Sequence, residues 1–404
     1  MNDTLAMVLA GGRVDAVGVL TARRSMAAVP FGGMYRIIDF VLTNLSASRI
    51  GQVGILSQFR PASLMDHVGI GRPWDFNGRT RELTFLPPYQ GTRDVDWYRG
   101  TADAVMQNLH VIERTRPRDV LVVAGDHAYR MDYRPLIEFH RRAKSDLTMV
   151  FKRMDCGRPS RFGVGVLGEG RRVVSYHEKP GDPPSDLASL TIYVFRTEAL
   201  VARLKENAAT GRTFHFYDEV IPRMVAEDRV FGFPFRGAWE YLRPLSGYHD
   251  AHMRLVSPRG GVPLFGLLTD LDSQGVGDAP SAEFSGGGSA RRSMVAPGCR
   301  IAGKVRNSVL FPWVRVEPGA VVEDSVILHD TVIRKGARVV RAVVDKEVVV
   351  GEGAVVGGGE AVAAVGKLAH LGNGARVAEG AAVGAGTEVP EGGVVAAAGV
   401  GDPR

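Results

Sequence analysis

An α/β domain with a Rossmann-like layout, followed by a left-handed parallel β-helix, is the architecture this 404-residue sequence predicts. Two observations carry that prediction. From Leu5 to about Arg254, short apolar runs alternate with longer amphipathic segments; from about Ser293, aliphatic residues recur at six-residue steps among clustered glycines. The length suits two or three domains. With 45% hydrophobic and 23% charged residues, the chain has the balance of a soluble globular protein able to bury a full core.

In the first part, the runs LAMVLAGG, QVGILSQ, DVLVVAGD, LTMVFKR and LTIYVFR each hold several consecutive apolar residues and end in glycine, polar or charged residues. Strands buried on both faces of a parallel sheet have this form. Between them, FVLTNLSASR and TADAVMQNLHVIERTR repeat apolar residues at three- and four-residue steps, which predicts helices. Such alternation builds layered α/β domains with right-handed crossovers. Ligands of these sheets sit beyond the carboxyl ends of the strands. Three segments fall there: Gly11-Gly12, Gly125-Asp126-His127 and Glu178-Lys179-Pro180.

In the second part, Val314, Ala320, Val326, Val332, Val344, Val350 and Val356 keep a six-residue register that Arg338 interrupts, and Leu371, Val377, Val383, Val389 and Val395 form a second phase. A hexapeptide period with an inward aliphatic residue and turn glycines marks a parallel β-helix. The expected division is residues 1–255 for the α/β domain, 256–292 for a linker containing SGGGS, and 293–404 for the β-helix.

Composition also excludes several classes. No apolar run reaches the roughly 18–20 residues of a membrane helix, and no basic segment precedes the first apolar stretch as a secretory signal requires. Cys156 and Cys299 are the only cysteines, too few for a disulfide framework or a cysteine zinc cluster, so a cytoplasmic location is expected. The net charge of +6 is scattered through mixed-sign sequence and forms no basic tract, which argues against nucleic acid as a partner.

The segments PFGGMYRIIDFVLTN, WYRGTADAVMQNL, VAGDHAYRMDY and HEKP, in this order and followed by hexapeptide repeats, closely resemble the glucose-1-phosphate adenylyltransferase (ADP-glucose pyrophosphorylase) family. The resemblance covers nearly the whole chain. It implies a nucleotidyltransferase domain joining ATP and glucose 1-phosphate into ADP-glucose and pyrophosphate, for glycogen or starch synthesis. In that reaction the sugar phosphate attacks the α-phosphorus of the nucleotide. Mg²⁺ and cationic side chains neutralise the charge and position the groups.

Carried over residue by residue, Asp126 matches the family's first metal-binding and catalytic aspartate. Glu178 and Lys179 match the sugar hydroxyl and phosphate contacts, with Lys179 also a catalytic candidate, and Ser189 matches a sugar-site serine. Gly11 and Gly12 open the nucleotide loop, while Gln58, Gly100 and Thr101 match positions lining the base. Other positions depart. The loop glycine becomes Val14, the loop arginine Ala16, and the Lys-Pro pair Met26-Ala27. Tyr241 stands at the second metal aspartate, His215 at an acidic position, and Met34 at a basic one near the effector site. Val14 resists the φ > 0 geometry that glycine allows, and a neutral phenol is a poor ligand for a hard cation. His67, His110, His127, His177 and His215 show no metal-ligand spacing, and Trp97, Tyr98 and Trp239 are expected to pack at the pocket wall.

Two functions stay open. The first is a catalytically impaired homologue that acts as a regulatory or structural subunit of a homo- or hetero-oligomer, with an active paralogue. The second is an active sugar-1-phosphate nucleotidyltransferase of altered specificity, with Mg²⁺ as cofactor, in which Arg13, Arg23 or Arg24 replaces the missing cations. A β-helix acyltransferase, with His329 or His370 as its base, is a third and weaker reading.

Overall fold

The computed structural model describes residues 3–89, 97–154, 159–211, 214–258, 260–273 and 275–397, so Cys156 lies outside the described residues. The strands of the main sheet are β1 (Thr4–Leu9), β2 (Gln52–Leu56), β3 (Glu82–Leu86), β4 (Asp119–Ala124), β5 (Leu147–Arg153), β6 (Gly163–Leu167), β7 (Val173–Glu178), β8 (Leu187–Arg196) and β9 (Val230–Pro234). They run in the order β7-β6-β8-β4-β1-β2-β3, with β5 pairing β8 and β9. The heart of the sheet, β4-β1-β2-β3, is parallel. The LTIYVFR run enters β8 antiparallel to β4, which makes the sheet mixed. A continuous apolar run encodes burial on both faces, not strand direction.

Helix α1 (Ile38–Ala47) is where the periodicity places it. The segment predicted as one helix after Gly100 is two, α2 (Thr101–Gln107) and α3 (Leu109–Thr115). Asn108 divides them: its side-chain amide donates to the Ala104 carbonyl (2.9 Å) and to the Tyr98 hydroxyl (2.8 Å). Asparagine favours such local bonds over helix continuation.

The second unit coils through three parallel sheets of seven, seven and six strands, the left-handed β-helix that the repeats predict. It starts before residue 293, because Glu283–Phe284 and Ser289–Arg291 already pair with Arg300–Ile301 and Lys304–Arg306. The SGGGS tract is therefore the first corner of the coil, with Gly286 and Gly287 at positive φ. The inward column also differs from the six-residue series. Val316, Val322, Ile327, Ile333, Val339 and Val344 fill the axis. The corners before Ile327 and Val344 are one residue short, so Val332 is only half-buried and Val326 faces the α/β unit. Arg338 interrupts nothing, since it is exposed beside the inward Val339. The later series Leu371, Val377, Val383 and Val389 does line the axis.

The two units share a core. Val17, Leu20, Phe31 and Tyr248 of the α/β unit pack with Val309, Phe311, Val326, Leu328 and Val343 of the β-helix. Beside them, one terminal guanidinium nitrogen of Arg24 donates to both carboxylate oxygens of Asp345 in a buried ion pair. Among the described residues no helix is long and apolar enough to cross a membrane.

Candidate active site

Beyond the carboxyl ends of β1 and β4 opens a cavity of about 460 Å³. The three segments singled out at strand ends meet there, and Gly11, Gly12, Gln58, Gly100, Thr101, Asp126, Glu178, Lys179 and Ser189 all line it, together with Met26 and Tyr241.

On the β1 side, a Cβ on Gly11 would lie 3.1 Å from the Gln58 backbone nitrogen and 3.2 Å from the Leu56 carbonyl, so a side chain there would force this backbone apart by a few tenths of an ångström. Gln58 is tied to the backbone of one residue, Tyr98. Its Nε2 donates to the Tyr98 carbonyl (3.0 Å), and its Oε1 accepts the Tyr98 N–H (2.6 Å). Gly100 then passes so close to the Phe214 carbonyl that a Cβ would collide with it. That carbonyl accepts the N–H groups of Ala102 (2.9 Å) and Asp103 (3.1 Å), closing the start of α2. Thr101 Oγ1 accepts the Phe216 N–H (3.1 Å), and the Thr101 N–H donates to His215 Nδ1 (3.4 Å). His215 therefore lines the cavity as a packing group, stacked on Tyr217 with ring centroids 4.8 Å apart. Tyr98 forms wall, whereas Trp97 is 65% exposed; Trp239 packs behind the wall on His127 and Phe162.

On the opposite side, Glu178 Oε2 accepts the Tyr176 hydroxyl (2.7 Å), and its Oε1 lies 3.6 Å from Lys179 Nζ. Ser189 Oγ is 3.3 Å from the Tyr193 hydroxyl. Lys179, paired with Glu178 and 5.8 Å from the Tyr217 ring centroid, is 60% exposed, so its ammonium keeps an open side toward an anion.

After Arg13 the loop leaves the cavity and returns to it at Met26. Val14 is buried in the core shared with the β-helix, beside Val17, Leu20 and Met26. Ala16 is exposed and its carbonyl accepts the Leu245 N–H (3.2 Å). Of the three arginines able to replace the lost cations, Arg13 alone lines the cavity, where it pairs with Asp15 at 2.9 Å. Arg24 is held by Asp345, and Arg23 reaches toward Gly386 of the β-helix. Met34 is half-buried and takes no part in the lining.

Asp126 and Arg243 make the central contact, which residue-by-residue matching did not single out. A guanidinium nitrogen of Arg243 donates to Asp126 Oδ2, while His127 Nε2 stands 3.7 Å from Oδ1. Burial opposes the Asp126 charge, yet Arg243 and His127 more than offset it and hold the carboxyl below its usual range. Burial pushes the His127 imidazole down and the Tyr241 phenol up. Alternation along the segment from Trp239 gives the side that Arg243 faces, not its partner. Trp239, Tyr241 and Arg243 share one face, whereas Glu240 turns to the other and pairs with Arg254.

These residues do not fit the Mg²⁺ that the resemblance implies. The second ligand position holds a neutral phenol, the nearby carboxylate Glu240 is engaged elsewhere, and a guanidinium already covers Asp126. Among the described residues, no three His, Cys, Asp or Glu side chains form a metal-holding group. His329 is sealed beside Phe311, with rings 5.2 Å apart and 2% of the residue exposed, so no acyl donor reaches it.

A mixed α/β sheet with a ligand pocket at its strand ends, joined to a hexapeptide coil, defines a sugar-nucleotide transferase scaffold. In agreement, residues 5–257 match the family model described as nucleotidyl transferase, and residues 280–365 match that described as GlmU-like, C-terminal hexapeptide. The chain belongs to the glucose-1-phosphate adenylyltransferase family. It is 40% identical to the glucose-1-phosphate adenylyltransferase of Thermotoga maritima over 333 residues, covering 80% of this chain and 77% of the relative. Those of Clostridium acetobutylicum (36% identical; 80% and 85% covered) and Acetivibrio thermocellus (37%; 80% and 76%) are similar to it as well.

Proposed function

We propose that this chain is an ADP-glucose pyrophosphorylase homologue with an impaired catalytic centre, which acts in the cytoplasm as a regulatory or structural subunit alongside an active paralogue. It keeps a pocket for sugar phosphate and nucleotide, with Gly11, Gly12, Gln58, Gly100 and Thr101 on the nucleotide side and Glu178, Lys179 and Ser189 on the sugar side. The observation that carries the reading is the Asp126–Arg243 pair: the aspartate that would hold metal is already neutralised by the protein itself. Burial of Val14 and the absence of a cation at Ala16 and Met26 support it further. Losing one such electrostatic group typically costs about 100- to 1,000-fold in rate.

Arg13 in the cavity lining favours a second reading, an active transferase that uses Mg²⁺. A pyrophosphate-release assay with ATP and glucose 1-phosphate separates the two. The proposed role expects negligible turnover by the pure chain and altered kinetics of an active paralogue on mixing. Robust turnover by the pure chain, abolished by Asp126→Ala, overturns it in favour of the second.

A further inference from the structure

The cavity is lined by Arg13, Arg99, Arg161, Lys179 and Arg243, of which Arg13 pairs with Asp15, Arg99 with Asp103, Lys179 with Glu178 and Arg243 with Asp126, so its wall presents cationic donors to an anion without a metal. Arg243 has the features of a tethered counter-ion. It is bound to Asp126 at one nitrogen, its Nε has no protein partner, and its side chain remains 34% exposed toward the cavity. A guanidinium stays charged at every accessible pH and presents donors that match phosphate oxygens. A divalent cation approaching Asp126 has to displace that group against like-charge repulsion.

We propose that Arg243 stands in for the divalent metal at Asp126, so that the pocket binds a hexose 1-phosphate without metal. Its phosphate lies against Arg243 and Lys179, and its hydroxyls face Glu178 and Ser189. The inference rests on the sugar-phosphate pocket proposed above and adds the cation that serves it. A metal-free pocket of this kind lets a non-turning subunit sense sugar phosphate while leaving Mg²⁺–nucleotide to an active partner.

The test uses the full chain and two probes. Mn²⁺ alone is titrated and followed by electron paramagnetic resonance; glucose 1-phosphate is added in EDTA and in Mg²⁺ while the melting temperature is read. The expected result is that wild type binds no more Mn²⁺ than Asp126→Asn, and that glucose 1-phosphate raises the melting temperature equally in both buffers. Arg243→Lys keeps most of that rise and Arg243→Gln loses it. The double variant Tyr241→Asp/Arg243→Gly, with a second carboxylate and no guanidinium, binds Mn²⁺ about tenfold or more tightly than wild type. Mn²⁺ binding by wild type that Asp126→Asn abolishes overturns the proposal. So does a melting shift that requires Mg²⁺, or the absence of a shift in either buffer. Pyrophosphate release and mixing kinetics read none of these quantities, so the regulatory role and the metal-free pocket fail separately.

Discussion

Gln58 and Gly100 show how little freedom the pocket wall has at single residues. Gln58 makes two hydrogen bonds to the backbone of one residue, Tyr98, at 2.6 and 3.0 Å, and Gln58→Leu strands both backbone groups. Denaturant unfolding should show a loss of about 1–3 kcal/mol. Gly100→Ala drives a methyl group into the Phe214 carbonyl that closes α2. Its expected cost is about 1–3 kcal/mol in the same measurement, with weaker nucleotide binding by calorimetry. Gly11, Gly12, Asp126, Glu178 and Lys179 were legible in the sequence because they stand at or just after strand ends, whereas Gln58, Gly100, Thr101 and Ser189 came from the resemblance alone. Arg243 was legible by neither route. Matching position by position asks what replaces the lost aspartate and stops at Tyr241, whereas the charge that fills the place comes from two residues further along. Arg24 misled in the opposite sense: a cation near the loop in sequence is claimed by an aspartate 321 positions away.

A helix spans Leu245–Leu255 near the end of the α/β unit. It carries His252 into the core shared with the β-helix. There His252 Nδ1 donates to the Tyr248 carbonyl (2.9 Å), and Nε2 accepts the Gly32 N–H (3.1 Å). Burial pushes its pKa down to about 3. The unfolded chain, with an ordinary imidazole near 6.5, takes up a proton that the folded chain refuses. Stability therefore falls as pH drops through the window from about 6.5 to 3 and is unaffected above it. In His252→Gln, the slope of unfolding free energy against pH in this window should flatten by close to one proton, read from urea melts. For the β-helix the kind of element was legible and its phase was not. Hexapeptide spacing reports the coil, but corners one residue short before Ile327 and Val344 shift which aliphatic residue points inward.

At the scale of the whole molecule, the plan of two units was readable from their different periods, while the seam between them was not, because docking depends on side chains that neither period marks. Arg24 and Asp345 are both nearly buried within that seam. Asp345→Ala leaves the guanidinium unpaired and should cost about 3–5 kcal/mol, lowering the melting temperature of the whole chain, whereas Arg24→Met/Asp345→Leu should recover most of the loss. The repeating ladder has a further consequence. Every coil offers the same backbone hydrogen bonds, so sliding the α/β unit along by one coil, about 4.8 Å, leaves the ladder itself intact. Only the side chains can tell one rung from the next. The positions one rung either side of Asp345 are Leu328 and Gly366, and neither can hold an arginine. A single carboxylate thus works as an index mark on a ruler, and inserting or deleting a coil ahead of it would displace the dock without unfolding either part.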